Sequence, residues 1–181
     1  MTTEPLTFTF ADDGSVPNNP TLPVLLYRDA VDMAKARDPE AEIERIFMAN
    51  GWGHGLWRDG IFPYPHFHSG THEALGIARG IARVRLGGAN GEEVELKTGD
   101  VIVLPAGTGH QRLSGAGNLS VVGGYPGNGR YDLLHSRPAE HDRTLDAIAN
   151  VPLPESDPLF GAKGPLLTLW KPTEQLPVTR R

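Results

Sequence analysis

Two histidines separated by one residue are the first feature of this sequence that could do chemistry. His66 and His68 stand in a run in which aromatic and proline residues alternate with them. On a β-strand, residues two apart project from the same face, so both imidazoles can reach one common point. Imidazole nitrogen is a frequent ligand of transition metals. The pair therefore indicates part of a metal site.

The short turn after this pair decides which further side chain joins it. The turn is Ser69-Gly70-Thr71, where glycine supplies the backbone freedom that a tight turn needs. With an even number of loop residues, His68 lies opposite Glu73, and His72 faces the other way. An odd number would reverse this and bring His72 in. We prefer the even loop, because it gives a mixed histidine and carboxylate site.

A second segment supplies the fourth candidate ligand. The apolar run Val101–Leu104 ends at Pro105-Ala106-Gly107, and His110 opens the segment that follows. Three imidazoles and one carboxylate suit a single divalent transition metal ion, namely Fe, Mn, Ni, Co, Cu or Zn, and are poor ligands for calcium. The chain has no cysteine, so nitrogen and oxygen atoms must hold the metal.

Both segments resemble the two conserved motifs of the cupin superfamily. The first motif is Gly, five residues, His-x-His, four residues, Glu, six residues, Gly, and its fixed positions are Gly60, His66, His68, Glu73 and Gly80. The second has Gly99, Pro105, Gly107 and His110 in place, with Ser114 where Asn is usual. The flanking residues 12–27, 50–53 and 151–170 are similar to the YjlB-like group of small, single-domain bacterial cupins.

The resemblance implies a fold and a range of activities. The fold is all-β, an antiparallel double-stranded β-helix or jelly-roll barrel. Short, regularly spaced strands without crossover helices independently predict a sandwich or barrel. Many cupins with this ligand set are dioxygenases and others are isomerases. We therefore expect a metal-dependent enzyme acting on a small molecule, with a dioxygenase-type oxidoreductase favoured. The alternatives are a metal-dependent isomerase and a non-catalytic cupin that binds a small ligand or a structural metal.

The elements that must position these residues form one predicted domain, residues 1–181. Its barrel core covers about 58–126, N-terminal strands and a short helix cover 1–57, and an irregular C-terminal arm, 127–181, packs on the barrel. The helix begins after Asp38, a good N-cap, with Pro39 in the first turn, and ends at Gly51. Val101–Leu104 is apolar on both faces, so its outer face must be covered, and the N-terminal strands or a second subunit could do this.

Three further residues are candidates for contact with a substrate. Counting by two from the ligands places Tyr64, Arg79 and Arg112 on the ligand face. Tyr64 could orient the substrate or act as an acid. Arg79 and Arg112 could hold a carboxylate or phosphate through bidentate contacts, although surface or structural pairing is the simpler interpretation of both. The role of His54 is left open.

Composition limits the partners. The net charge of −5 argues against nucleic-acid binding. No apolar run approaches the roughly 20 residues of a membrane span, and the first residues do not resemble a signal peptide, so we expect a cytoplasmic protein. Cupins often pair through sheet edges and arms, so the resemblance also implies a homodimer.

Overall fold

The computed structural model describes residues 4–171 of the 181-residue chain. The end of the predicted C-terminal arm, residues 172–181, lies outside the described residues. Within 4–171 the strands are β1 Leu6–Phe8, β2 Val24–Tyr27, β3 His54–Asp59, β4 His66–Phe67, β5 Glu73–Leu86, β6 Glu92–Lys97, β7 Val101–Leu104, β8 His110–Tyr125 and β9 Leu134–His135. The helices are α1 Pro39–Ala49, α2 Pro138–His141, α3 Leu145–Ala149 and α4 Leu166–Leu169, with a 3-10 turn at Met33–Lys35.

All of these strands belong to one antiparallel sheet. The order is β1-β2-β7-β5-β8-β4-β9, with β3 paired to β8 and β6 paired to β5. The two long strands, β5 and β8, pair from Ala74 and Gly124 at one end to Leu86 and His110 at the other, with register shifts between. The curled sheet is the all-β jelly roll that the sequence predicts, and it includes two strands, β1 and β2, from the region before residue 58.

The sheet separates two apolar cores. In β7, Ile102 and Leu104 face the interior of the curled sheet, and Val101 and Val103 face outward. Both faces are buried, as the unbroken apolar run predicts. The outer face is covered by helix α1 and by the C-terminal arm, including Trp170. The N-terminal strands are not this cover, because β1 and β2 extend the sheet edge-on, and the outer face of β7 is buried without a second subunit.

Helix α1 is the principal cover of the outer face, and its predicted start is confirmed. The Asp38 side chain accepts a hydrogen bond from the Ala41 amide at 3.0 Å, and Pro39 occupies the first turn. Ile43 and Phe47, one turn apart, are fully buried against the sheet. Gly76 of β5 permits this approach, because a Cβ atom there would lie 2.7 Å from Ile43 Cγ2.

The C-terminal arm is tied to the sheet by one buried carboxylate. Asp157 is 0% exposed and accepts the Tyr27 hydroxyl at 2.6 Å. Its two oxygens also accept the backbone amides of Leu159, Phe160 and Leu166. The arm is less irregular than expected, since it contains β9 and three short helices. No helix within residues 4–171 is both long enough and apolar enough to cross a membrane.

A second tie joins the arm to the N-terminal segment and should depend on pH. His141 Nε2 lies 2.7 Å from Asp12 Oδ2, and His141 Nδ1 lies 2.7 Å from Asp142 Oδ1. Hydrogen bonds to Asp142 and Asp12 raise the pKa of His141. Burial opposes ionisation of Asp12, but hydrogen bonds from the Gly14 amide and His141 lower its pKa. The tie therefore consists of an imidazolium between two carboxylates.

We expect His141→Gln to lower the free energy of unfolding most between about pH 4 and 6.5. A raised histidine pKa stabilises below the unfolded value and loses this effect as pH rises through the folded value. A lowered aspartate pKa stabilises above its unfolded value. Because Asp12 and Asp142 are exposed, the loss is at most about 1 kcal/mol. Urea unfolding of wild type, His141→Gln, Asp12→Asn and the double variant at pH 5.5 and 9 measures it. If His141→Gln lowered the free energy of unfolding by the same amount at pH 5.5 and at pH 9, the ion pair would be contradicted.

Candidate metal centre

The ends of three strands, β4, β5 and β8, meet at one end of the curled sheet. His66 lies in β4, where it pairs with His110, the first residue of β8. His68 follows β4 directly, and Glu73 is the first residue of β5. All four side chains are at most 5% exposed. The folded sheet therefore brings together the four residues that motif spacing singled out.

The path between His68 and Glu73 differs from the predicted hairpin. Strand β4 pairs with β8 and β9, while β5 pairs with β6, β7 and β8, so the two are not hydrogen-bonded neighbours. The segment between them bonds elsewhere: the His68 carbonyl accepts the Gly107 amide at 2.7 Å, and the Gly70 carbonyl accepts the Arg130 amide at 2.7 Å. The turn register was thus wrong, although Glu73 faces the histidines as it predicted.

The side-chain geometry is that of a compact cluster. One ring nitrogen from each of His66, His68 and His110 lies within 4.8 Å of the others. Glu73 Oε2 lies 3.4 Å from His68 Nε2 and 3.2 Å from His110 Nε2. Three imidazoles and a carboxylate at these separations could converge on a single ion.

Each imidazole is oriented by a backbone carbonyl. Nδ1 of His66 donates to the Tyr64 carbonyl and Nδ1 of His110 donates to the Thr108 carbonyl, both at 3.0 Å. Nδ1 of His68 donates to the Asp132 carbonyl. A carbonyl can only accept, so Nδ1 carries the hydrogen and Nε2 is the nitrogen that faces the cluster. Such outer hydrogen bonds fix the tautomer and orientation of metal-binding histidines.

The charges of the cluster also favour a cation. Burial lowers the pKa of His66 to about 3, so this ring stays neutral and keeps a lone pair. Burial opposes ionisation of Glu73, but the charge of His68 and the proximity of His110 hold the pKa of its carboxyl below the usual range. Burial also opposes a charge on His68, yet Glu73 raises its pKa. A proton and a metal ion would compete for the place between His68 and Glu73, so metal binding would release a proton.

Tyr125 forms a hydrogen bond with one of the two carboxylate oxygens of Glu73 and leaves the other available for a metal ion. Its hydroxyl donates to Glu73 Oε1 at 2.9 Å and accepts from Trp57 Nε1 at 2.9 Å. Glu73 Oε2 is buried and has no hydrogen-bond partner among residues 4–171. A buried carboxylate oxygen without a donor is costly, and a cation would satisfy it. The donor set and this oxygen together fit a divalent transition metal ion.

We expect Tyr125→Phe to weaken metal binding by roughly 10- to 100-fold, because it frees Glu73 Oε1 and lets the carboxylate rotate. The buried oxygen left without a donor should also lower the free energy of unfolding by about 1–3 kcal/mol. Calorimetric metal titration and thermal unfolding measure the two effects. The matched control is Tyr64→Phe, whose hydroxyl makes no contact with Glu73. Equal loss of affinity in both variants would refute the proposed division of the carboxylate.

The other sequence-based candidates lie outside the cluster. The residues before β4 are not in a strand, and the Tyr64 ring lies edge-on to His66, with ring centroids 5.7 Å apart, and stacks on His135, with ring centroids 5.3 Å apart. Arg79 pairs with Glu40 of α1 on the outer face, because register shifts on both sides of Arg79 break the alternation. Arg112 Nε donates to the Ile61 carbonyl at 3.0 Å. The placement of Arg79 corrects the assignment made from alternation, Arg112 makes the structural pairing that was its simpler interpretation, and substrate contact by Tyr64 stays a prediction.

The two histidines outside the ligand set have different places. His72 points away from the cluster, accepts the Ala106 amide at 3.0 Å and packs on Trp170 with ring centroids 4.8 Å apart. Burial lowers the pKa of His72 to about 4, so the ring is neutral. His54 is exposed and lies on the wall of the cavity next to the cluster.

A cavity of about 520 Å³ opens onto the four candidate ligands. Its walls include Trp57, Phe62, Tyr125 and Tyr131. Gly123 makes room for the Trp57 indole, since a Cβ atom there would lie 2.0 Å from Trp57 Cε2. Counting by two from His66 also places Phe62 on this side, but sequence reasoning missed Trp57, Tyr125 and Tyr131, because these residues share no periodic pattern with the ligands. The sequence shows that these residues are aromatic, but it does not show which way their side chains point.

Comparison with known proteins agrees with this fold and site. A family model described as a cupin domain matches residues 58–123. The chain is also 39% identical over 171 residues to a protein of Bacillus subtilis (strain 168) named "Uncharacterized protein YjlB", covering 94% of this chain and 99% of that one. The chain therefore belongs to the cupin superfamily. Within it, the chain is a YjlB-like protein with a single cupin domain.

Solved structures with a similar fold are more distant. Acireductone dioxygenase from Bacillus anthracis, with a cadmium ion in its active center, is 17% identical, with a TM-score of 0.39 over 59% of this chain and 80% of that one. Oxalate decarboxylase OxdC of Bacillus subtilis is 18% identical, with a TM-score of 0.35 over 64% of this chain and 28% of that one. At these scores neither likeness bears on activity.

Proposed function

We propose that this protein is a metal-dependent enzyme acting on a small molecule held beside the histidine cluster. The observation that carries the proposal is that all four candidate ligands line a cavity of about 520 Å³. Cavities of roughly 300–1,000 Å³ typically take a small ligand. A zinc ion that only stabilises the fold is closed by four protein ligands and needs no such space. The open cavity therefore favours chemistry over a structural metal.

Among metal-dependent enzymes, a dioxygenase-type oxidoreductase is favoured over an isomerase. An isomerase of hydroxylated carbonyl compounds needs polar side chains for the hydroxyl groups, whereas much of this wall is apolar, for example Trp57, Ile61 and Leu75. When bound, a redox-active ion such as Fe, Mn, Ni, Co or Cu would supply the electron-transfer chemistry that the side chains lack. Backbone carbonyls orient the three imidazoles, and Tyr125 positions Glu73. The apolar side chains of the wall exclude water from the site.

The test is anaerobic purification with metal quantification, followed by oxygen uptake with a panel of candidate small molecules. We expect a redox-active ion bound in a 1:1 ratio and oxygen consumption that depends on substrate. Tightly held zinc without oxygen uptake would support a structural metal instead. Conversion of substrate without oxygen uptake would support the isomerase.

The same proposal includes two sequence-based expectations, a homodimer and a cytoplasmic location. Helix α1 and the C-terminal arm already cover the outer apolar face of the sheet within one chain. A dimer would therefore form through the sheet edge at β1 or through the arm. Sedimentation at micromolar concentration measures the oligomeric state, and a monomer mass would rule the homodimer out. Fractionation of the producing cells measures the location.

A further inference from the structure

We infer that the ligand of this cavity is a small aromatic molecule with an oxygen donor that reaches the metal, and that phosphorylated compounds are excluded. The inference rests on the proposed function, because it assigns a ligand class to the same cavity. It is carried by the wall chemistry, by the exposed aromatic rings and by the pairing of the nearby cations.

Aromatic side chains are enriched on the cavity wall. Aromatic residues make up 7% of the chain, yet Trp57, Phe62, Tyr125 and Tyr131 all line this one space. Aromatic rings prefer offset-stacked or edge-to-face contacts with other rings, and such pairs are favourable beyond the area they bury. Aliphatic walls would accept any apolar ligand equally. The wall therefore selects flat, unsaturated ligands over aliphatic ones of similar size.

Two of these rings are exposed although they are large and apolar. Phe62 is 39% exposed and Tyr131 is 52% exposed, and both belong to the wall of the cavity. Tyr131 also packs on a candidate ligand, with its ring centroid 5.1 Å from that of His68. An exposed apolar surface that surrounds a concave site is typical of ligand binding. A ligand ring beside Tyr131 would thus be adjacent to the metal position.

The wall offers no free cation for a phosphate group. Within residues 4–171 the one guanidinium on the wall belongs to Arg58, and it forms a bidentate pair with Glu44 at 2.6 and 2.7 Å. The wall also carries the carboxylates of Asp59 and Glu73. A polyanionic ligand would meet like charges there without a partner, which is unfavourable. A single carboxylate or phenolate bound directly to a cation would not need a further partner.

Tyr131 also supplies a hydroxyl group for orientation. Its hydroxyl makes no hydrogen bond within the described part of the chain, and its ring lies 5.3 Å from that of Tyr125. A tyrosine hydroxyl is protonated at neutral pH, so it can donate a hydrogen bond. Because Tyr131 lines the cavity beside His68, its hydroxyl could donate to a polar ligand atom that lies next to the metal.

Matched hydroxy acids test the ligand class. Lactate, mandelate and 3-phosphoglycerate share an α-hydroxy acid group and differ in carrying a methyl, a phenyl or a phosphate group. Calorimetry on protein loaded with Co²⁺ should show mandelate binding at least about tenfold tighter than lactate, because the phenyl ring is buried. Binding of 3-phosphoglycerate should be weaker than that of lactate. Phe62→Ala should reduce the preference for mandelate with little effect on lactate, whereas Tyr131→Ala should weaken the binding of both acids and that of mandelate more.

Controls separate this inference from the proposed function. Met48→Ala removes another exposed apolar side chain, on α1 and outside the cavity wall, and should leave the preference unchanged. Failure to take up Co²⁺ would overturn the proposed function and the inference together. Loaded protein that binds lactate or 3-phosphoglycerate as tightly as mandelate, or that binds none of the three, would overturn the inference alone. An unaltered preference in both aromatic variants would also overturn it.

Discussion

Replacing His66 or His110 by alanine is expected to abolish stable metal binding. The two residues face each other across β4 and β8, with ring centroids 4.0 Å apart, so each removes one of the three clustered nitrogens. Loss of an outer hydrogen bond to a ligand costs roughly 10- to 100-fold in metal affinity, and loss of a ligand itself should cost more. Metal content after purification and calorimetric titration with Co²⁺ measure the effect.

His72→Ala is the matched control for the ligand variants. His72 is as deeply buried as the ligands, at 1% exposed, but its side chain points away from the cluster. It should lose stability, because the Ala106 amide loses its acceptor and Trp170 loses a packing partner, but it should keep its metal. Thermal unfolding distinguishes the two effects. A metal loss in His72→Ala equal to that in Glu73→Ala would contradict the assignment of Glu73 as the fourth ligand.

Asp157→Ala is expected to cause the largest loss of stability in the chain, about 3–5 kcal/mol. The substitution removes the acceptor of the Tyr27 hydroxyl and of three backbone amides at once. Tyr27 is 0% exposed, so water cannot replace the lost acceptor. Burial and the adjacent Asp157 carboxylate raise the pKa of Tyr27, so its hydroxyl is a constant donor. Domains of this size are typically stable by only about 5–15 kcal/mol.

Two variants calibrate the Asp157 result in urea unfolding. Tyr27→Phe removes one of the four bonds and should cost about 1 kcal/mol. Asp146→Ala, in an exposed position of α3, should change the free energy of unfolding by less than about 0.5 kcal/mol. A loss in Asp157→Ala no larger than that in Tyr27→Phe would show that the arm is held mainly by its apolar contacts.

The sequence predicts the ligand set better than the path that assembles it. His66, His68, Glu73 and His110 follow from fixed spacings, and the structure brings them together. The hairpin drawn between His68 and Glu73 was wrong, because parity arguments assume that strands adjacent in sequence also pair. Here the chain crosses between strands that are not neighbours, and its hydrogen bonds go to Gly107 and Arg130.

Alternation fails wherever a strand is interrupted. Arg79 has the same parity as Glu73 in β5, yet irregular pairing on both sides of it moves its side chain to the outer face and to Glu40. Tyr64 precedes β4 and is not part of a strand, so strand alternation does not fix the direction of its side chain. Tyr125 and Tyr131 complete the site from the end of β8 and the loop beyond it, about 50 residues from Glu73 in sequence. No local pattern reports a contact over such a separation.

The carbonyl acceptors behind the three imidazoles have a consequence for the evolution of this site. A backbone carbonyl is present whatever the side chain, so residues 64 and 108 can change without removing the acceptor of a ring, whereas the Asp132 carboxylate also accepts the Ser69 amide at 2.7 Å and is constrained. New chemistry can then be selected by exchanging residues around the entrance while the ion-holding centre is inherited unchanged. A mutational library at positions 64 and 108 should retain metal loading in most of its foldable members.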